Sequence, residues 1–216
     1  SRQKLVNGQA EGDPAITREV ILEPVSQVII VGTKALPVQR YPDVPVDFWA
    51  YEDIEFLSEL GILNGFPDGH FEPHRTLTRA EGAKIIAMAL DLKLEGEKAN
   101  YTDVSDSYWA KEYIDALTEK GIMIGYTDNS FRPGKQMTRA ELALTLYRAF
   151  EIEATDEEVS FSDLADTHWA AEAIKALASK GIITGYLDGL FKPDNAITRA
   201  EASTMLAKAL KIANNN

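Results

Sequence analysis

Several features are missing from this 216-residue chain, and each absence excludes a class of structure or partner. There is no cysteine, which excludes disulfides and thiolate metal sites. No apolar run approaches the roughly 18 residues of a membrane helix, so no membrane span is expected. Basic residues are scarce: 22 against 34 acidic residues give a net charge of −12, which argues against nucleic acid and against a polybasic membrane contact. The chain opens at Ser1 with no signal-peptide pattern, and we expect it to be a fragment of a longer protein.

A four-residue segment, Thr-Arg-Ala-Glu, organises the rest of the sequence. It occurs at 78–81, 138–141 and 198–201, always 60 residues apart. A fixed internal period indicates a repeat architecture. It divides the chain into segments 1–40, 41–100, 101–160 and 161–216. One such repeat is too small to bury a sufficient core alone. We therefore predict an all-α fold in which three helix-loop-helix repeats of 60 residues form one pseudo-threefold body, a trimer of repeats, preceded by a short N-terminal β segment.

The first helix of each repeat has a predicted start and a predicted stop. The start is a polar N-cap residue shortly before a tryptophan, namely Asp47, Ser107 and Thr167. The stop is a glycine in a left-handed C-terminal cap, namely Gly61, Gly121 and Gly181. Leu57 and Ile62 flank the first of these glycines and fit the apolar contact of a Schellman motif.

The second helix begins at the repeated tetrapeptide, which has the form of a capping box. In such a box the threonine hydroxyl accepts from the glutamate N–H, and the glutamate carboxylate accepts from the threonine N–H. The predicted helix-capping residues are Thr78, Glu81, Thr138, Glu141, Thr198 and Glu201. Between the two helices, Asp68-Gly69 predicts a tight turn, and Phe71 is expected to tuck under this loop.

An arginine occupies the first helical position after each cap: Arg79, Arg139 and Arg199. A cation there faces the positive end of the helix dipole, which costs about 0.3–1 kcal/mol. The position therefore indicates a partner. That partner is either a ligand or an acidic residue, at Asp43, at Glu52 or in a neighbouring repeat. If it is a ligand, replacing the arginines by alanine should weaken binding and leave thermal stability nearly unchanged.

Residues 1–40 differ from the repeats in composition. The stretch from Arg18 to Lys34 is rich in β-branched residues and predicts two short strands, at about 18–23 and 25–31. It resembles the C-terminal half of the G-five domain, a small extracellular β module of bacterial surface proteins that act on or adhere to cell-wall glycans. The likeness is carried by Gly12, Thr17-Arg18-Glu19-Val20, Glu23-Pro24-Val25 and Val31-Gly32-Thr33-Lys34.

The repeats resemble surface-layer homology (SLH) domains over residues 41–212. The third copy carries Phe161-Ser162-Asp163 with Trp169-Ala170, Gly181-Ile182-Ile183-Thr184-Gly185-Tyr186, Asp188-Gly189-x-Phe191-x-Pro193 and Ile197-Thr198-Arg199-Ala200-Glu201. Tyr41 and Tyr101 stand where the family usually has phenylalanine. The resemblance implies a pseudo-threefold helical body with binding grooves between units. It also implies noncovalent attachment to the secondary cell-wall polymer of a bacterium, often one bearing pyruvylated N-acetylmannosamine.

On this resemblance the chain is expected to be a secreted binding module, not an enzyme, that anchors a larger exported protein to the cell wall or surface layer. The implied partners are the pyruvylated cell-wall polysaccharide and surface-layer proteins, and no cofactor is implied. The candidate ligand-binding residues are Arg79, Arg139, Arg199, Trp49, Trp109, Trp169, Asp43, Asp103 and Asp163.

The arginines and tryptophans have specific roles in this hypothesis. A ketal-linked pyruvate is a fixed carboxylate, which an arginine can hold through two parallel hydrogen bonds. Free backbone N–H groups at the same helix start would add to the anion site. The tryptophans could stack on sugar rings. Their place at the start of an amphipathic helix favours anchoring in the core, and they could line a groove edge as well.

Two other classes of function stay open. No catalytic motif of the common hydrolase, phosphate-loop or zinc-protease types is present, and Glu81, which could be paired with Glu52 as acid and base, is used by the cap. The Asp68 turn lacks the alternating oxygen ligands of a calcium loop, and no metal site is predicted. A glycan-processing enzyme would release reducing sugar. A protein-binding or self-assembling surface-layer scaffold would capture partners regardless of free saccharide.

Overall fold

The computed structural model describes residues 5–6, 9–10, 39–95, 97–155 and 159–214. It contains two compact units, Ser1–Leu36 and Pro37–Asn216. In the first unit, strands β1 (Leu5–Val6) and β2 (Gln9–Ala10) pair antiparallel. The strands predicted at 18–23 and 25–31, and the residues that resemble the G-five domain, lie outside the described residues.

Six helices form the regular structure of the second unit where the structure describes it, two in each repeat. They are α1 (Tyr51–Glu59), α2 (Arg79–Ala89), α3 (Lys111–Glu119), α4 (Arg139–Ala149), α5 (Ala171–Ser179) and α6 (Arg199–Ala213). The predicted helix-loop-helix pattern is therefore confirmed. None of these described helices combines the length and the apolar character needed to cross a membrane.

The first helix of each repeat begins later than predicted. Its N-cap is an alanine with no side-chain cap bond, at Ala50, Ala110 and Ala170, so the prediction of Asp47, Ser107 and Thr167 as caps is wrong. The reason is a pair of tight turns before the helix. In the first repeat the N–H of Phe48 donates to the Pro45 carbonyl, and the N–H of Tyr51 donates to the Phe48 carbonyl, each at 2.9 Å. These turns occupy the residues that the prediction assigned to the first helical turn.

The other helix ends agree with their predictions. Gly61 has φ +72°, and the Ile62 N–H donates to the Leu57 carbonyl at 3.0 Å, which is the Schellman pattern. Both bonds of the capping box form at the start of α2, α4 and α6. In the first box the Thr78 N–H donates to Oε2 of Glu81 at 2.8 Å.

A closed ring of backbone hydrogen bonds joins the three repeats just before their second helices. The Leu77 N–H donates to the Ile197 carbonyl at 2.9 Å, and the Ile197 N–H donates to the Met137 carbonyl at 2.9 Å. The Met137 N–H donates to the Leu77 carbonyl at 2.8 Å and completes the ring. All three side chains are buried. This cyclic pattern is the pseudo-threefold arrangement that the repeat period predicts.

The helices pack between repeats. The second helix of each repeat contacts the first helix of the next: α2 on α3, α4 on α5, and α6 back on α1. Phe71, Phe131 and Phe191 are fully buried under their loops, as predicted for the first of them. Each repeat therefore completes its core with its neighbours, and the boundary between two repeats is where a site can form.

Candidate functional site

The three tetrapeptide arginines are buried at the boundaries between repeats. Arg79, Arg139 and Arg199 are only 5–6% exposed. Nε of Arg79 donates to the Phe131 carbonyl at 2.9 Å, and its Nη2 donates to the Ile124 carbonyl at 3.1 Å. The equivalent carbonyls belong to Phe191 and Thr184 for Arg139, and to Phe71 and Asn64 for Arg199. Each arginine therefore ties its own repeat to the next one.

Two aromatic rings enclose each guanidinium. The Cζ atom of Arg79 lies 4.9 Å from the centre of the Tyr126 ring and 4.7 Å from that of Phe131. Rings at the same positions of the next repeat flank the other two arginines: Tyr186 and Phe191 for Arg139, and Phe66 and Phe71 for Arg199. Such cation–π contacts offset part of the cost of dehydrating a buried cation.

The backbone N–H groups at the helix start are already bonded. The N–H of Arg79 donates to the Lys135 carbonyl at 2.9 Å, and the N–H of Ala80 donates to the Pro133 carbonyl at 3.0 Å. The capping threonine takes the third N–H. The expectation that free N–H groups at this position add to an anion site is therefore wrong. The neighbouring repeat satisfies them because its loop runs alongside the helix start.

The tryptophans lie on the surface and not in the core. Trp49, Trp109 and Trp169 are 60%, 54% and 57% exposed, so the expectation that they anchor the core is wrong. The late start of the first helix explains this. Each tryptophan lies in the turn before the helix, and the alanine that follows it, such as Ala50, points into the core with no exposed surface.

Three grooves run along the boundaries between repeats, and residues from all three repeats line each one. The volumes of grooves 1, 2 and 3, as named below, are about 310, 220 and 210 Å³. The largest of these three volumes falls in the range of small-ligand sites. We name them by the repeat that supplies most of the wall. Groove 1 contains Phe66, Glu81, Lys84, Trp109 and Arg199. Groove 2 contains Arg79, Tyr126, Glu141, Arg148 and Trp169. Groove 3 contains Trp49, Arg139, Tyr186, Glu201 and Lys208.

The glutamate of the capping box also faces the groove. In groove 2, Oε1 of Glu141 accepts from the Tyr126 hydroxyl at 2.7 Å and lies 3.5 Å from Nη1 of Arg79. Burial acts to raise the pKa of Glu141, but hydrogen bonds from the Thr138 N–H, Tyr126 and Lys135, with the charge of Arg79, outweigh it and lower the pKa. Glu141 is therefore held as a carboxylate beside Arg79. We call Arg79, Arg139 and Arg199 the floor arginines of grooves 2, 3 and 1.

Groove 3 has the same glutamate arrangement. The Tyr186 hydroxyl donates to Oε1 of Glu201 at 2.6 Å, and Nη1 of Arg139 lies 3.5 Å from the same oxygen. Burial and this hydrogen bond raise the pKa of Tyr186 to about 12. The tyrosine thus stays a hydrogen-bond donor at any physiological pH.

The candidate aspartates lie apart from the grooves. Both carboxylate oxygens of Asp43 accept backbone N–H groups, from Phe71 at 2.8 Å and from Glu72 at 2.7 Å. Asp103 and Asp163 make the same pair of bonds in their own repeats. Glu72 has φ +58°, an unusual value for a residue other than glycine. The aspartate therefore holds the loop whose carbonyl, at Phe71, receives a floor arginine.

Replacing Asp43 by asparagine is expected to cost about 1–2 kcal/mol of unfolding free energy at neutral pH, because one charge-assisted bond is lost. Partial burial acts to raise the pKa of Asp43, but the bonds from Phe71 and Glu72 outweigh it and lower the pKa below its ordinary 3.8. The stabilisation by the Asp43 carboxylate is therefore complete at pH values above 3.8, the ordinary pKa that applies in the unfolded chain. It disappears as the pH falls through the lower pKa of Asp43 in the folded protein. Urea unfolding between pH 7 and roughly pH 2 measures it. The control, Asp47→Asn at an exposed carboxylate, should show no such loss at any pH, and an equal loss in both variants would contradict this role.

Sequence reasoning missed several groove residues. The aromatic at Phe66, Tyr126 and Tyr186 recurs at the same place in every repeat, and that recurrence was the available signal. Lys84 has no matching charge in the other copies, and Arg148 matches Lys208 while the first repeat has Met88 there, so the repeat pattern gives only a partial signal for these cations. Within the described ranges, no group of three or more histidine, aspartate or glutamate side chains is placed to hold a metal ion.

Comparison with known proteins agrees with this geometry. The family described as S-layer homology domain matches residues 40–83, 100–143 and 160–203. Cell surface glycoprotein 1 of Acetivibrio thermocellus is 40% identical over 162 residues, which are 69% of this chain and 7% of that protein. The cellulosome-anchoring protein of the same bacterium is 35% identical over 182 residues, 80% of this chain and 39% of that protein. An uncharacterized cell wall amidase of Bacillus anthracis is 34% identical over 189 residues, 85% of this chain and 34% of that protein.

These matches fix the family and the cellular location. The chain spans no more than 39% of the length of any of these three relatives. The three family matches coincide with the three repeats, and the relatives are proteins of the bacterial surface or wall, so this is a secreted cell-surface protein. The chain belongs to the S-layer homology domain family and carries three tandem copies of that domain.

Proposed function

We propose that this chain anchors a larger exported protein to the bacterial cell wall by binding an acidic secondary cell-wall polymer in grooves 1, 2 and 3. The observation that carries the proposal is the composition of every groove. Each one combines a buried arginine floor with a tryptophan edge that is more than half exposed, and the two come from different repeats. A cation beside an exposed aromatic face suits a ligand that is both anionic and ring-shaped.

The polymer proposed is one bearing pyruvylated N-acetylmannosamine, as the family resemblance implies. Nε and Nη2 of each floor arginine donate to backbone carbonyls, so Nη1 is the group we propose for a ketal carboxylate. In grooves 2 and 3 this Nη1 also lies 3.5 Å from a glutamate oxygen. The tryptophan edge would then cover the apolar face of the sugar ring. In this scheme Arg79, Arg139, Arg199 and the three tryptophans contact the ligand. Asp43, Asp103 and Asp163 act indirectly, by holding the loops that receive the arginines.

Three grooves on one compact unit support multivalent attachment. A polymer offers many copies of the same sugar, so occupation of a second groove is favoured by the high local concentration that the first creates. A net charge of −12 does not oppose this, because the positive charge is local to the grooves. We propose segments 41–100, 101–160 and 161–216 as the SLH repeats, and 1–40 as a separate β segment and linker.

The three relatives support a binding role over an enzymatic one. A surface glycoprotein, an anchoring protein and a wall amidase share this segment, although the segment is at most 39% of each. A part common to proteins with such different names supplies what they have in common, and we propose that this is attachment to the wall. Any catalytic activity would then belong to the remainder of each protein.

Calorimetric titration with purified wall polymer, before and after chemical removal of the pyruvate ketals, tests the proposal. We expect removal to weaken binding about tenfold or more, because one charge-assisted contact is worth at least about 1.4 kcal/mol. The control is polymer taken through the same procedure without the reagent that removes the ketals. Equal binding of both preparations would contradict the carboxylate contact. Lack of binding to either would favour the surface-layer scaffold, and release of reducing sugar would favour the enzyme.

A further inference from the structure

Groove 1 differs from the other two at the residue that holds the capping-box glutamate. Where grooves 2 and 3 have a tyrosine whose hydroxyl binds the glutamate, groove 1 has Phe66, which has no hydroxyl. Arg75 replaces that bond: its Nη2 donates to Oε1 of Glu81 at 2.7 Å. The positions equivalent to Arg75 carry Lys135 and Asn195.

This difference changes the charge balance at the groove floor. The floor arginines of grooves 2 and 3 each have a glutamate oxygen at 3.5 Å. Among the residues that the structure describes, Arg199 has no carboxylate oxygen within 4.0 Å, because Arg75 holds Glu81 instead. Arg199 is 6% exposed, so its charge is largely dehydrated, and within the described ranges its hydrogen-bond acceptors are two backbone carbonyls.

A second cation lines the same groove. Lys84 supplies this cation in groove 1, and Arg148 and Lys208, one helical turn further along the second helix, supply it in grooves 2 and 3, so it is common to the three grooves. Burial lowers the pKa of Arg199, the more distant Glu81 opposes this, and the charge of Arg75 adds to the lowering. A buried cation without a counter-ion is costly, so an incoming carboxylate gains more here than beside an arginine that already has one.

We propose that groove 1 is the carboxylate-dependent site of this chain: a ligand carboxylate supplies to Arg199 the counter-charge that a glutamate supplies to the floor arginines of grooves 2 and 3. Lys84 attracts the carboxylate as Arg148 and Lys208 do in the other grooves, so the difference between the grooves rests on Arg199. This deepens the proposed function and rests on it. Grooves 2 and 3, whose floors are already neutralised, bind the sugar with less dependence on its charge.

The chain has three tryptophans, one in each groove, and they allow the grooves to be observed separately. The chain labelled with fluorotryptophan gives three fluorine NMR signals, which single Trp→Phe variants assign. The probe is the methyl glycoside of N-acetylmannosamine with a pyruvate ketal, compared with the same glycoside without it. We expect the Trp109 signal to shift at a probe concentration about tenfold lower than the Trp49 and Trp169 signals require. This shift should occur only with the glycoside that carries the ketal.

A reciprocal exchange between repeats 1 and 3 tests the cause without removing a buried arginine. The variant Phe66→Tyr with Arg75→Asn gives groove 1 the residues of groove 3, frees Glu81 for Arg199, and should weaken ketal binding at Trp109 about tenfold. The opposite variant, Tyr186→Phe with Asn195→Arg, should strengthen ketal binding at Trp49. The control Lys93→Asn removes one positive charge, as Arg75→Asn does, but at an exposed site outside the groove lining. It should change ketal binding neither at Trp109 nor at Trp49.

The outcomes separate this inference from the function on which it rests. If the wall polymer shifts some signals but Trp49 or Trp169 responds first, or all three respond together, groove 1 is not the carboxylate site although the chain is an anchor. If neither wall polymer nor probe shifts any signal, the proposed function fails and the inference fails with it. An exchange that leaves the order of the signals unchanged overturns the assigned cause.

Discussion

Replacing Arg79 by alanine is expected to lower the free energy of unfolding by about 3 kcal/mol, because two charge-assisted hydrogen bonds to backbone carbonyls of the next repeat are lost. The guanidinium is almost fully buried and joins the first repeat to Phe131 and Ile124 of the second. Its removal leaves both carbonyls without this donor and opens a cavity beside the Phe131 ring. Urea unfolding of the whole chain, followed by circular dichroism, measures the loss.

The matched control for Arg79 is an arginine of the same groove that makes no hydrogen bond or ion pair with the residues that the structure describes. Arg148 also lines groove 2, but it is exposed near the end of α4. Arg148→Ala should change the free energy of unfolding by no more than about 0.5 kcal/mol. If Arg79→Ala is as stable as this control, the expectation from sequence, that the arginine can be removed without loss of stability, is right and the structural role argued here is wrong.

The arginine shows where sequence reasoning succeeds and where it ends. Its unfavourable position at a helix start indicates a partner, and a neighbouring repeat was one of the partners predicted. The capping box around it could be predicted in full because both of its bonds span three residues. The carbonyls that Arg79 binds lie 45 and 52 residues away, and local pattern does not predict bonds of that range.

The two wrong predictions about the first helix have one physical origin. Residue types near Trp49 suggest a capped helix beginning at Asp47, but two turns intervene and place the helix start at Tyr51. Trp49 therefore lies in a turn outside the helix, where the helical period does not direct its side chain to the apolar face, and it is 60% exposed. The same displacement puts Ala50 into the core. One misplaced boundary thus converts a predicted core residue into a groove edge.

Differences between the copies carry information that the repeat period hides. Phe66 and Tyr126 look interchangeable in an aligned repeat, since both rings flank a floor arginine. The hydroxyl decides which group holds the capping-box glutamate, and thereby whether the arginine has a counter-charge. Only the placement of Arg75 beside Glu81 makes this consequence visible.

Replacing Asp115 by alanine is expected to cost about 3–5 kcal/mol of unfolding free energy, because it leaves a buried ammonium without its counter-charge. Lys111 and Asp115 of α3 are 6% and 7% exposed, and Nζ lies 2.6 Å from Oδ1. Both groups also bind the backbone of Ala99, which fastens the segment between the first and second repeats to the helix. Urea unfolding measures the change. An unchanged slope of the unfolding free energy against urea concentration shows that unfolding remains cooperative.

The pair has controls elsewhere in the chain and within itself. The third repeat has Ala171 and Lys175 at the equivalent positions, and Lys175 pairs with an exposed Asp166, so Lys175→Ala should cost no more than about 1 kcal/mol. The double variant Lys111→Met with Asp115→Leu should lie within about 1 kcal/mol of the parent, since apolar residues can replace a buried ion pair. A double variant as unstable as Asp115→Ala would show that the cost comes from detaching Ala99 and not from the unpaired charge. If the double variant is stable, the pair serves to fix the position of the segment and contributes little net stability.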